Sequence, residues 1–466
     1  MATPHATTWP VHATRAERRA QGKAARAVLS LDDLAVLAET ERDPVALVGA
    51  TDEARVPWLV PIRYGRMLRS AFTFYRGSAV LMAFDLAQSP NSGLEVQLCG
   101  DAHLANFGMY GSPERSLVFD LNDFDETLPG PFEWDVKRLI ASLAVCARDR
   151  GFKPKRQRAI ALAAAAEYRR AMRVFADLSV LQTWYAQLDV DKAISETEDL
   201  ELRDRAERLA DRARGKDNLQ AAARFTEVVD GRRRIVADPP RIVRIEDLPT
   251  RVPGDVEELV RATFLEYRDS VRDDVRVLLD RYTFVDAAIK VVGVGSVGTR
   301  CFIVLMQGCD EQDLLFLQVK EAGPSVLEAH LGHGRYHHHG HRVVAGQRLM
   351  QSASDTLLGW ATGPAGRQYY WRQLRDWKGS ADFGRMDEKL LLKYGEICAW
   401  TLAKAHARSG DRVAIAAYLG SSTAFEEAMT TFATTYADRA EQDYALLQAA
   451  VAAGRVVAHD DAESAA

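Results

Sequence analysis

Residues 291–308 read VVGVGSVGTRCFIVLMQG, with Gly293, Gly295 and Gly298 in the G-x-G-x-x-G spacing. Two unrelated folds use that spacing, so the residues after the glycines decide between them. A dinucleotide-binding fold runs directly into a helix whose N-terminus receives pyrophosphate. Here the glycines run into CFIVLMQG, apolar and β-branched up to Gly308, which reads as a strand. The spacing therefore predicts strand, glycine turn, strand, an arrangement in which missing side chains let backbone N–H groups approach a phosphate. The plain alternative is a hairpin whose glycines serve tight geometry and whose next lysine is solvated.

Working outward, FLQVKEA ends a third strand at Lys320, and Glu328 in SVLEAHLG is the nearest carboxylate that could hold that lysine. Glu321 is a poorer candidate, because adjacent strand positions point to opposite faces. Further strands are expected in HRVVAGQRLMQ (341–351) and RQYYWRQLRD (367–376), and a two-stranded element is expected around Asp230-Gly231. Residues 57–88, 131–151, 155–224, 252–282, 386–408 and 423–453 carry helical patterning. The class is α+β: a helical lobe and a smaller antiparallel sheet lobe. The expected division is a partly disordered leader over 1–56, with Arg-rich residues up to 27 as a mobile tail or fraying helix. A helical lobe follows over 57–282, then a sheet lobe over 283–380. C-terminal helices packing on the helical lobe occupy 381–466.

Composition narrows the function classes. The net charge of −5 supplies no basic field for nucleic acid or an anionic membrane, and a small or neutral partner fits better. The five cysteines, Cys99, Cys146, Cys301, Cys309 and Cys398, form no C-x-x-C pair and read as reduced thiols of a cytoplasmic protein. No run of 18 apolar residues suggests a membrane span, and the first 27 residues lack the apolar core of a secretory signal.

The densest chemistry lies in GDAHLANFGMYGSPERSLVFDLNDFDET, residues 100–127, with six acidic side chains, His103 and Asn106. Phosphoryl transfer needs a carboxylate to orient the attacking hydroxyl, and hard oxygen ligands for Mg²⁺. Asp101 and Asn106 have the D-x-x-x-x-N spacing of a kinase catalytic loop. Asp123 and Asp125 follow the strand SLVFDLN as metal carboxylates. Asp120 is the rival of Asp123 on the other strand face. The bland reading of all these residues is turn and cap chemistry.

Cys99-Gly100-Asp101-Ala102-His103-Leu104-Ala105-Asn106 followed by Leu121-Asn122-Asp123-Phe124-Asp125 resembles the aminoglycoside phosphotransferase and choline kinase branch of the kinase-like superfamily. That branch reads H-G-D-x-H-x-x-N, so Cys99 departs from it at the first position. Asp135 resembles the aspartate that opens the next helix and supports the catalytic loop. From about Pro57 to Ala453 the chain is also similar to a bacterial family known as domain of unknown function 2252. The marks are GDAHL.NFG, DLNDFDET..GPFEWD.KRL, VGVGSVGTR and GQRLMQ..SD..LGW.

The first resemblance implies a two-lobed protein-kinase-like fold with ATP and Mg²⁺ as cofactors and a small hydroxylated molecule as acceptor. Asp101 and His103 would be catalytic, and Asn106, Asp123 and Asp125 would hold metal. Gly293, Gly295, Gly298, Lys320, Glu328 and Gln373 would bind the nucleotide, with backbone groups of 373–375 near adenine. In an ordinary kinase the glycine loop precedes the catalytic loop. Here it comes roughly two hundred residues later, which implies a circular permutation. The helix leading into the catalytic loop is then 74–88 or 391–411. Two rivals stand beside this reading: a nucleotide-binding regulatory pseudokinase, and a metal-dependent hydrolase built on Asp101, His103 and Asp123. His337, His338, His339 and His341 read as a surface loop more than as a metal cluster. Arg63, Arg66 and Arg76 are either anion contacts or ion-pair partners of the acidic motif.

Overall fold

The computed structural model describes residues 12–216, 218–248, 256–291, 293–374 and 377–460. Its largest sheet has six antiparallel strands in the order Gly359–Thr362, Gln368–Gln373, Leu314–Glu321, Cys301–Gln307, Thr283–Lys290, Ile242–Arg244. The three consecutive strands after residue 282 thus form as expected, with Cys301 opposite Lys320 and Lys320 opposite Tyr370. Both faces are covered, and strand alternation distributes the apolar residues. Val304, Met306, Leu315 and Leu317 meet Tyr267, Val271 and Leu279 on one side. Ile303, Leu305, Leu314 and Phe316 meet Phe225 and Ile235 on the other. The hairpin Thr226–Val229/Arg232–Ile235 and the helices Val256–Ser270 and Asp273–Leu279 therefore pack on the sheet, although the chain places them before it.

Segment 341–351, whose Val-Val pair and alternation predict a strand, lies instead in a helix, His339–Met350. Val343, Val344, Gln347 and Met350 share a buried helical face there. The His338 ring accepts the His341 N–H as the N-cap at 3.2 Å. Gly340 and Gly346 let this helix approach Tyr369 and Thr127.

The helical core joins Phe132–Asp149, Pro154–Asp177, Glu388–Ser409 and Ala424–Ala452. Two small sheets attach to it. Glu95–Leu98 pairs with Leu128–Pro131, and Phe107–Gly111 pairs with Leu117–Leu121, which pairs in turn with Leu188–Asp189. At the end of the Glu388–Ser409 helix, the Ser409 hydroxyl accepts the Gln97 N–H at 3.2 Å, so this helix delivers its C-terminus to the strand before Asp101.

Arg15–Val28 is not a fraying tail. Thr14 and Glu17 form a capping box at its start, and it docks on the helix Arg412–Leu419. Gly22 sits where a Cβ would fall 2.0 Å from the Ala414 carbonyl oxygen. Arg26 donates to the carbonyls of Tyr418 and Ala417. Among the described residues no helix is long and apolar enough to cross a membrane.

Candidate functional site

The strand Glu95–Leu98 hands the chain to Gly100, whose φ of 86° favours glycine and whose Cβ would lie 2.3 Å from the Glu126 carbonyl oxygen. The turn is fixed from beneath by Asp135, in the first turn of the Phe132–Asp149 helix. Its carboxylate accepts the Cys99 and Gly100 N–H groups at 2.8 and 3.0 Å. His406 and Tyr168 complete this support, with His406 Nε2 3.3 Å from Asp135 and its Nδ1 2.8 Å from the Tyr168 hydroxyl. Asn106 Nδ2 donates to the Asp101 carbonyl at 2.6 Å, closing the loop on itself.

Asp101 takes the Arg138 Nε–H at 2.8 Å, and His103 Nε2 stands 3.6 Å from its other oxygen. Burial raises the Asp101 carboxyl above its usual range against the pull of Arg138. Burial, with Arg76 and Arg138 nearby, holds His103 well below the usual imidazole range, so its ring is neutral.

The acidic turn after Leu117–Leu121 separates its aspartates as strand alternation requires. Asp120 faces inward, paired with Lys404 and accepting the Ser352 N–H at 3.0 Å, and it takes no part in the cavity wall. Asp123 and Asp125 face Lys320, whose Nζ is 3.6 Å from Asp123 and 2.6 Å from Asp125. Asp125 also accepts the Tyr370 hydroxyl at 2.8 Å. Burial disfavours the Asp125 anion, yet Lys320 and Tyr370 bring its carboxyl below the usual range. Asp123 is raised, by burial and by the Asp125 charge. Arg342, on the His339–Met350 helix, donates to the carbonyls of Thr127, Asp125 and Gly323, which fixes the turn from its far side. Glu126 accepts the Val326 N–H at 2.7 Å, and burial pushes its carboxyl up to about 7.

Glu328 does not hold Lys320. It pairs with His333 at 2.8 Å and accepts the Ser325 N–H at 3.1 Å, and the lysine finds its carboxylates in the acidic turn instead. Glu321 points the other way from Lys320 and pairs with Arg300 and Arg367. Gln373 gives its backbone N–H to Asp355 at 2.6 Å and borders a cavity of about 460 Å³ with Asn122, Arg372 and Gly293. Arg375 lies outside the described residues.

The glycine loop lies against the segment 52–81. Val294 is buried with Val48, Tyr64, Met67 and Phe74, and Val297 with Leu59 and Ile62. Arg55 Nη1 donates to the carbonyls of Gly295, at 2.8 Å, and Val297. Arg66 donates to the Gly293 carbonyl at 2.5 Å, and the Val56 N–H to that of Gly298 at 2.7 Å. Gly293 and Gly298 have φ of 65° and 93°. Between this loop and the acidic residues lies a cavity of about 340 Å³, bordered by Asp101, His103, Asn106, Asp123, Asp125, Gly293 and Gly295. Arg55, Arg63, Arg76 and Glu126 border it too. Gly298 and Lys320 stand behind this wall.

The histidine run divides its members among separate tasks: His338 caps its helix, His339 lies 3.6 Å from Glu328, and His341 stacks on Trp360 at 4.0 Å. Among the described residues no three His, Cys, Asp or Glu side chains stand together as a metal-ligand group. Sequence reasoning missed Arg138, Arg342, His406 and Arg55. Arg138 follows Asp135 by three on one helix, a spacing that puts both toward the Asp101 loop. For the tie of Arg55 to the glycine loop no local signal exists, because the Gly295 and Val297 carbonyls lie 240 and 242 residues away.

No curated protein and no solved structure matches the chain. A family model does match, over residues 55–450, and its family is described as an uncharacterized protein conserved in bacteria (DUF2252). With most of the sequence inside that match, glycine loop and acidic motif included, the chain belongs to this family.

Proposed function

We propose that the protein is an ATP- and Mg²⁺-dependent phosphotransferase on a circularly permuted, two-lobed kinase-like fold, acting on a small hydroxylated molecule. The observation that carries this reading is the meeting of Asp101, Asn106, Asp123 and the glycine loop around one cavity. Two features of chain order support it. Lys320 lies on the third consecutive strand, after the glycine loop, with a helix following, as the phosphate-binding lysine does in protein kinases. The Glu388–Ser409 helix ends beside the strand that leads to Asp101, where an unpermuted chain would run from one into the other.

The donors suit the metal, since carboxylate and carboxamide oxygens are hard ligands and Mg²⁺ takes only a few from protein. Asn106 and Asp123 would hold it. Asp125, neutralising Lys320, is better placed to position that lysine than to bind metal. When bound, the metal nucleotide supplies the phosphoryl group and neutralises its developing charge. Asp101 orients the acceptor hydroxyl and takes its proton; its raised pKa improves it as a base, and Arg138 fixes its rotamer. His103, neutral and buried, stabilises the loop by accepting the Ala105 N–H at 3.1 Å. The small acceptor is inferred from the motif's likeness to small-molecule kinases, an analogy.

The test is a thermal-shift titration with ATP and Mg²⁺. A ligand at 100 times its dissociation constant stabilises by about 2.7 kcal/mol, enough to move the midpoint by several degrees. A metal-dependent shift is expected, and none across millimolar nucleotide would sink the proposal. A shift without turnover on any hydroxylated acceptor would favour the regulatory pseudokinase.

A further inference from the structure

The guanidinium of Arg55 has two amino groups in different circumstances. Nη1 is spent on the glycine loop, donating to the carbonyls of Gly295 and Val297. Nη2 has no hydrogen-bond partner among the described residues, and Arg55 borders the cavity that the loop and Asp101 enclose. The side chain is only 12% exposed.

Its charge is also thinly balanced. The nearest carboxylate, Asp52, stands 3.8 Å from Nε and is shared. Arg63 Nη1 donates to the same Oδ1 at 2.5 Å, and the Tyr64 hydroxyl holds Oδ2 at 2.6 Å. Two guanidiniums thus lean on one carboxylate. Burial and the Arg63 charge press the Arg55 guanidinium down to about 9, with Glu126 acting in the opposite sense from the acidic turn. Arg63 offers the cavity nothing comparable, being 2% exposed and committed to Asp52 and to the carbonyls of Gly77 and Val48.

We propose that Arg55 is a phosphate-binding residue, holding the glycine loop with one amino group and presenting the other to a phosphoryl oxygen in the cavity. A planar fork with one tine anchored is preorganised for an oxyanion, and an anion there supplies the charge that Asp52 divides between two cations. The inference deepens the phosphotransferase reading and rests on it only for the phosphate being that of a nucleotide. The second cation would come from the segment before the catalytic loop, in addition to Lys320 on the sheet.

The experiment is isothermal titration of the full chain, wild type, Arg55→Ala and Arg55→Lys, with Mg²⁺-ATP, inorganic tripolyphosphate and adenosine. Expected is a tenfold or greater loss of affinity for ATP and tripolyphosphate in Arg55→Ala, a smaller loss in Arg55→Lys, and adenosine affinity unchanged. Ligand-free melting midpoints of the three proteins show that the variants fold. A loss for adenosine equal to that for ATP would assign Arg55 to loop support alone and overturn the proposal. So would equal binding of ATP by wild type and Arg55→Ala, which leaves the phosphotransferase reading intact, or failure of the wild type to bind either phosphate compound. Tripolyphosphate binding that depends on Arg55, without ATP binding, would uphold Arg55 and remove the nucleotide.

Discussion

The cavity has two glycine-punctuated walls that are held in opposite ways. The Asp101 loop is tied mainly by its own neighbourhood: Asn106 reaches back five residues to Asp101, and Asp135 and Arg138 reach it from 35 and 37 residues away, with His406 and Tyr394 as distant supports. The glycine loop is held by Arg66 and Arg55 across 227 to 242 residues. Gly100 has no room for a methyl group, whereas a Cβ at Gly293 would meet nothing within 4 Å. One wall is locked by its own packing; the other takes its shape from what is laid against it.

Substitutions can break or sharpen that contrast. The largest effect belongs to the chemistry of the locked wall: Asp101→Asn should lower turnover about 10²- to 10⁴-fold while ATP affinity, measured by titration, stays near wild type. Loss of ATP binding in this variant would show that Asp101 shapes the pocket instead of the reaction. Next comes support. Asp135→Ala leaves two buried N–H groups without acceptors and should cost about 4 kcal/mol in urea denaturation. The glycines then test the contrast itself. Gly100→Ala meets both an unfavourable φ and the Glu126 carbonyl and should cost about 3 kcal/mol, against about 1 kcal/mol for Gly293→Ala, where only φ matters. Equal costs would abolish the distinction.

The smallest effect concerns the helix beneath the Asp101 loop. Lys137 is buried over the Phe432 ring, and burial presses its ammonium down to about 8 in spite of Glu133. Between pH 8 and the unfolded value near 10.5 the unfolded chain holds a proton that the native state has released, so stability rises with pH through this window. The gain is about 1 kcal/mol between pH 8 and 9. Urea midpoints at the two values should show it in wild type and lack it in Lys137→Met.

The same contrast governs what is legible in the sequence. The loop with Asp101, Asn106 and Asp135 can be read because its partners lie within one strand-turn-helix unit, and the strands from Thr283 to Glu321 because alternation with glycine punctuation is a local signal. The partner of Lys320 escapes for want of that locality. Glu328 is near in sequence, but Asp125 is near in space, 195 residues earlier. The helix His339–Met350 reads as a strand because a Val-Val pair between glycines satisfies strand alternation as well as one face of a helix. The docking of Arg15–Val28 is hidden in Ala-Arg composition; its small residues, Gly22 and Ala25, are the buried ones.

The long reach of Arg55 has a consequence in time. A ribosome finishes the segment 48–81 well before it makes the glycine loop, and at about 5–20 residues per second the 240 intervening residues take roughly 10–50 s. During that interval Met67, Phe74 and Leu81 lack Val294, and they wait longer still for Leu447. The nascent chain therefore carries an unfinished apolar face with Arg63 and Arg66 beside it until Val294 and Leu447 arrive. The wall closes only after Leu447 has been made.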